Sequence, residues 1–157
     1  MPDRLRVSLK RQPAMTVTRI AIHHDRLVYV ICADRKLKYP LGRSPIAYIG
    51  TTQNGVDRIA ASVAYRAYDI LGIRGVQSFE TRVVTTAPRK GLKSWRLLER
   101  ALLLGFRERY GGIPCCNVVG SGIVERNEFK VFSRDRIRDI LVGLEQSGVA
   151  PAHEPID

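Results

Sequence analysis

No stretch of this sequence approaches the roughly 18 consecutive apolar residues that a bilayer-spanning helix needs, which excludes a helical membrane protein. The first 25 residues hold Arg4, Arg6, Lys10, Arg11 and Arg19 with no unbroken apolar stretch behind them, so no secretory signal is expected. Cysteine is scarce: three residues, an odd and low number, exclude a disulfide scaffold and make the cytoplasm the expected compartment. Neither a CxxC nor an HxxxH spacing occurs, so His23-His24 with Cys32 or Cys115-Cys116 give zinc little support. Cys115 and Cys116 read instead as small buried loop residues. Internal repeats and low-complexity tracts are also missing. Carboxylates are in deficit, with 15 Asp+Glu against 26 Lys+Arg and a formal net charge of +11.

That excess is unevenly spread. Residues 1–45 carry +7, residues 46–117 carry +6 and residues 118–157 carry −2. A positive field over the first three quarters of a chain attracts a polyanion, and nucleic acid is the commonest one. A general solubility charge is the plainer alternative. An anionic membrane surface fits less well, because Lys and Arg are scattered and not gathered on one amphipathic helix. With 157 residues, 45% of them hydrophobic, the chain suffices for one domain with a real core.

Residues 1–15 read as a basic arm, with Pro2 and Pro13 discouraging regular structure. Residues 16–22 alternate β-branched side chains and are expected to form a short strand. Leu27 to Cys32 is an unbroken apolar run of strand-forming residues. Residues 34–45, charged and holding Pro40, Gly42 and Pro45, read as an extended hairpin loop. A second strand follows over 46–50, and the short connection favours antiparallel pairing. The spacing of Ile59, Val63, Ala67, Ile70 and Leu71 predicts a helix over 57–71, ended by Gly72. Residues 76–86 read as a third strand. Ser94 is the expected N-cap of a strongly apolar helix over 95–110. Residues 129–132 read as a short strand, and Ser133 as the cap of a charged helix over 134–146. Strands and helices in this order give an α+β fold and not a doubly wound one. The expected organisation is an arm (1–15), a main domain (16–120) and a strand/helix extension (121–157) packed on it.

Five separated residues have a common chemistry. Tyr29 and Tyr48 lie in the first two strands, Arg58 in the first turn of the following helix, Glu99 inside the next helix and Asn117 in the loop after it. These are not a hydrolase triad. A carboxylate can hold one divalent cation against a phosphoryl oxygen, a guanidinium can balance charge on a phosphorane-like transition state, and a phenol can orient or deprotonate a water. Each residue also has an ordinary reading: the tyrosines as core residues with satisfied hydroxyls, Arg58 and Glu99 as solvated helix residues, Asn117 as a turn residue. Glu99, however, shares its side of the helix with Trp95, Leu102, Leu103 and Phe106, which suits a cleft better than open water.

Val28-Tyr29-Val30, Tyr48-Ile49-Gly50, Arg58, Glu99 and Pro114-Cys115-Cys116-Asn117, in this order, resemble the GIY-YIG nuclease superfamily over about residues 26–118. The second tripeptide matches outright, while the first keeps only its tyrosine. The resemblance implies a small three-stranded antiparallel sheet flanked by helices, and DNA cleavage with one Mg²⁺ or Mn²⁺. It implies Tyr29 and Tyr48 as paired active-site tyrosines, with Tyr29 favoured as the general base. Arg58 would contact the scissile phosphate, Glu99 would be the sole protein ligand of the metal, and Asn117 would steady the site. Ser62 and Thr51 stand where many members carry a histidine and some a lysine. Arg96, Arg100 and Arg107 at helical spacing, with Lys38 and Arg43, are the expected DNA contacts, a solvated face being the alternative for the helix stripe. A non-catalytic nucleic-acid-binding module on the same scaffold is the second reading, and a basic protein-binding adaptor a third. The oligomeric state is open.

Overall fold

The computed structural model describes residues 4–14 and 24–147. The strand expected over 16–22 lies outside the described residues. Residues 4–14 are exposed and form no helix or strand.

The apolar run at 27–33 becomes the middle of the sheet because it is buried on both faces. Strand β1 (Leu27–Tyr39) pairs antiparallel with β2 (Gly42–Thr52) on one side and β3 (Phe79–Val84) on the other, giving the order β2-β1-β3. Alternate β1 residues serve two cores. Val28, Val30 and Cys32 face one with Ile46 and Ile49, and Leu27, Tyr29, Ile31 and Ala33 face the other. Helix α1 (Gly55–Leu71) closes the second core through Ile59 and Ile70. Helix α2 (Ser94–Tyr110) and helix α4 (Arg134–Ser147) close the first through Leu98, Leu102, Phe106, Ile137 and Leu141. The C-terminal extension thus shares the core of the main domain. Among the described residues the result is the expected α+β fold, a three-stranded antiparallel sheet flanked by four helices. Among the described residues no helix is long and apolar enough to cross a membrane.

Four local expectations are corrected. Residues 34–45 are not a loop: both strands continue to a tight turn at Pro40-Leu41, with Tyr39 paired to Gly42. Leu37 and Tyr39 alternate inward while Arg35, Lys36 and Lys38 stay in solvent, so the charges decorate a strand rather than break it. Tyr39 then fastens the hairpin: its hydroxyl donates to the Ile46 carbonyl at 2.6 Å and accepts from the Cys115 N–H at 3.1 Å. Residues 129–132 are not a strand, because a short helix α3 (Glu128–Val131) forms there around the buried Glu128. Ser94 is the first residue of α2 and does not cap it; Lys93 occupies that position without a side-chain hydrogen bond. Ser133 does cap α4, accepting the Arg136 N–H at 3.3 Å. Residues 76–86 yield a shorter strand than expected, 79–84. Gly111 ends α2 at φ 81°, where a Cβ would also stand 2.8 Å from Leu41 Cγ, so both backbone and space require glycine.

Candidate functional site

The site forms at the β2 edge of the sheet, and an irregularity in that strand aims its first residue. Ile31 pairs with Tyr48 but the next residue, Cys32, pairs with Ile46, so Ala47 is an extra residue on β2. Such a bulge turns the strand and frees a backbone group. The Ala47 carbonyl accepts the Cys116 N–H at 2.9 Å, and Tyr48 joins Tyr29 on the α1 face. Their ring centroids are 5.7 Å apart at an interplanar angle of 40°.

Gly50 makes this approach possible. It pairs directly with Tyr29, and a Cβ placed on it would lie 2.6 Å from the Tyr48 ring and 2.9 Å from the Tyr29 hydroxyl. Gly50→Ala is expected to push the two phenols apart and to cost about 1–3 kcal/mol through overpacking. A melting temperature equal to wild type would contradict this.

Tyr29 is only 2% exposed, and Tyr48 is half-buried. Burial, with the neighbouring Tyr29 and a hydrogen bond to it, pushes the Tyr48 phenol up to about 12 against the pull of Arg66. Tyr48 therefore keeps its proton at neutral pH, with the Tyr29 phenol packed beside it.

Glu99 reaches the same end of β2 from α2. Its carboxylate accepts a hydrogen bond from the Thr51 side chain and is close enough to act electrostatically on Tyr48. Burial raises its pKa, and the Thr51 bond with the charges of Arg96 and Arg100 only partly offsets this. Asn117 locks the strand edge. Its side-chain oxygen accepts the Ile49 N–H at 3.0 Å and its amide donates to the Ile49 carbonyl at 2.9 Å, filling both outward backbone positions of an edge residue. Tyr29, Tyr48, Glu99 and Asn117 are thus gathered around Ile49-Gly50-Thr51.

Arg58 is not bonded to this group; it is exposed on the first turn of α1 with no hydrogen bond or ion pair among the described residues. A different arginine enters. The Arg66 guanidinium lies 3.7 Å over the Tyr48 ring and donates to the Cys116 carbonyl at 3.3 Å. The sequence does hold a signal for it: Ile59, Val63, Arg66 and Ile70 form one i, i+4, i+7, i+11 stripe, so Arg66 occupies a core-facing position. Thr51 is the second residue missed.

The arginine stripe divides. Arg96 stays exposed beside Glu99. Arg100 donates to buried Glu128 at 2.6 Å and to the Val124 carbonyl at 2.8 Å, and Arg107 donates to the Ser121 and Ile123 carbonyls at 3.3 and 2.5 Å. These two fasten segment 121–128 to α2, so their guanidinium groups are engaged within the fold. Lys38 and Arg43 are exposed cross-strand neighbours near the hairpin turn. Cys115 is exposed and Cys116 half-buried, not the buried pair expected, with their sulfurs 3.9 Å apart. A hydrogen bond from Cys116 lowers the Cys115 thiol pKa.

Among the described residues no group of three or more His, Cys, Asp or Glu is placed to hold a metal ion, so a cation here would have Glu99 as its carboxylate and water for the rest. No protein-family model, curated protein or solved structure matches this chain.

Proposed function

We propose that the chain is a metal-dependent DNA endonuclease of the GIY-YIG kind, hydrolysing phosphodiester bonds. The observation that carries this reading is the meeting of Tyr29, Tyr48, Glu99 and Asn117, which are up to 88 positions apart in sequence, around one glycine at a strand end. A core has no use for a carboxylate in such a place. Glu99 suits a divalent cation because burial leaves its charge poorly compensated, with only a neutral hydroxyl bonded to it. Mg²⁺ or Mn²⁺ bound there would polarise a phosphoryl oxygen and stabilise the leaving oxygen.

The chain's own groups supply the remainder. Tyr48, protonated and packed against Tyr29, limits where the Tyr29 hydroxyl can turn. Tyr29 is left to align the attacking water by accepting its hydrogen bond, and as the phenolate it would take the water's proton and end as the neutral phenol while the oxygen bonds to phosphorus. Arg66 holds the Tyr48 ring and the Cys116 backbone in place, while exposed Arg58 and Arg96 are free to meet phosphates of the strand. Asn117 keeps β2 in register under the site. Three cysteines, none in a disulfide, suit the reducing cytoplasm.

The near-complete burial of Tyr29 and the protonated state of Tyr48 favour the second reading, a nucleic-acid-binding module without catalysis. One experiment separates the two. Purified protein is incubated with plasmid, branched and single-stranded DNA, with Mg²⁺ or with EDTA. Metal-dependent cleavage is expected. Salt-sensitive binding without cleavage of any substrate would establish the binding module instead, and no affinity at low salt would leave the adaptor.

A further inference from the structure

A second concave feature lies on the same helix as Glu99, one turn towards its start. A cavity of about 390 Å³ is lined by His24, Asp25, Arg26, Arg89, Ser94 and Trp95, among others. Its floor is the N-terminus of α2, a helix with no acidic residue in its first turn and no side-chain cap. The N–H groups of Ser94 and Trp95 therefore lack an intrahelical acceptor and carry the positive end of the helix dipole.

An independent feature points to a ligand. Ser94 is 7% exposed, and its hydroxyl has no hydrogen-bond partner among the described residues. Ser94 is among the residues that line the cavity, and no described side-chain polar atom is both fully buried and unpaired. Two guanidinium groups stand at the same cavity. Arg26 lies 4.7 Å over the Trp95 ring, and Arg89 is exposed. The one carboxylate in the lining, that of Asp25, is turned towards Gly55, 3.3 Å from where a Cβ would stand at the start of α1. Free backbone donors, an unpartnered hydroxyl and two planar cations recognise a phosphate group.

We propose that this cavity binds a phosphate, and that in the substrate it is the phosphate neighbouring the scissile one. Trp95 and Glu99 are four residues apart on one face of α2, so the residue lining the cavity and the one bearing the carboxylate are offset by about one helical turn, roughly 6 Å along the axis. The assignment to a nucleic-acid strand rests on the nuclease reading; phosphate binding itself does not.

Trp95 is the single tryptophan and reports the site directly. Its emission is followed in EDTA while inorganic phosphate, a nucleoside 5′-monophosphate, the bare nucleoside and a short single-stranded oligonucleotide are added, with calorimetry alongside. The phosphate-bearing probes are expected to bind saturably, the oligonucleotide most tightly, and the bare nucleoside not at all. Arg89→Gln combined with Arg26→Gln should weaken binding at least tenfold and Ser94→Ala a few-fold, with melting temperatures unchanged. Glu99→Gln, which removes a negative charge about one turn away, should not weaken binding. No saturable response, or equal losses from Arg126→Gln and Arg138→Gln elsewhere on the surface, would overturn the site. Binding of inorganic phosphate and the monophosphate but not the oligonucleotide would overturn the strand assignment. If wild type cuts no DNA while these affinities hold, the nuclease reading fails and the phosphate site stands.

Discussion

Glu99→Gln is expected to slow DNA cleavage drastically while leaving the protein at least as stable as wild type. The substitution removes the charge that would hold the metal but keeps the size of the side chain and its ability to bond Thr51. Loss of metal-centred charge stabilisation is worth several kcal/mol, so a rate reduction of about three orders of magnitude follows. The stability side has the opposite sign. Burial raises the Glu99 pKa above its unfolded value, so the folded state binds this proton more tightly than the unfolded chain. Stability then declines as pH rises through that interval, and at pH 8 the charged carboxylate is a net cost. Glutamine does not titrate, so in EDTA the variant should melt at or above wild type at pH 8, with the difference shrinking towards pH 4. A structural Glu99 would give the reverse, a variant that unfolds earlier at pH 8. Retained cleavage would remove Glu99 from the chemistry.

How much of this was legible in the sequence depends on where each residue's partners lie. The β1–β2–α1–β3–α2 frame could be read because its signals are local: an apolar run for the central strand, a 3.6-residue stripe for each helix, glycine after α2. The meeting of Tyr29, Tyr48, Glu99 and Asn117 was expected from their order and resemblance, with no local signal for the contacts themselves. The hairpin was misread because Arg35, Lys36 and Lys38 look like a polar loop until Leu37 and Tyr39 between them are seen to alternate inward. Helix α3 was misread because Phe129 and Phe132 suit a strand equally well, and what decides between them is Glu128 meeting Arg100, 28 positions away. Arg100 and Arg107 could not be told from Arg96 by spacing alone. The three lie on adjoining parts of one helix, and only the return of segment 121–128 separates an engaged guanidinium from a free one. Arg66 is the instructive omission, since an arginine in an apolar stripe needs either a partner or a task.

The buried pair that engages Arg100 leads to the largest stability effect expected in this fold. Glu128 is fully buried; one carboxylate oxygen accepts from Arg100 Nε at 2.6 Å and the other from the Arg126 N–H at 2.7 Å. Glu128→Ala would leave Arg100, one third exposed, without its anion and the Arg126 N–H without its acceptor. Breaking a buried pair from one side costs about 3–5 kcal/mol, and the partial exposure of Arg100 places this case near the lower figure. For a chain of this length about 3 kcal/mol corresponds to a fall of roughly 6–12 °C in melting temperature. Arg138→Gln, which loses only exposed contacts to Asp135 and Asp139, should leave the transition where it is. The pH dependence follows from the direction of the Glu128 shift. Burial pushes its pKa up, but the Arg126 N–H and Arg100 together outweigh that and hold it below the ordinary value of 4.5. A depressed folded pKa contributes stability that is complete above the unfolded value and is lost as pH falls through the folded one. The gap between wild type and Glu128→Ala should therefore be constant from pH 5 to pH 8 and close only under more acidic conditions. A gap that already narrows between pH 7 and pH 5 would mean that another group carries it. A variant as stable as wild type at pH 7 would mean that Arg100 does not depend on Glu128 and is available to a phosphate after all.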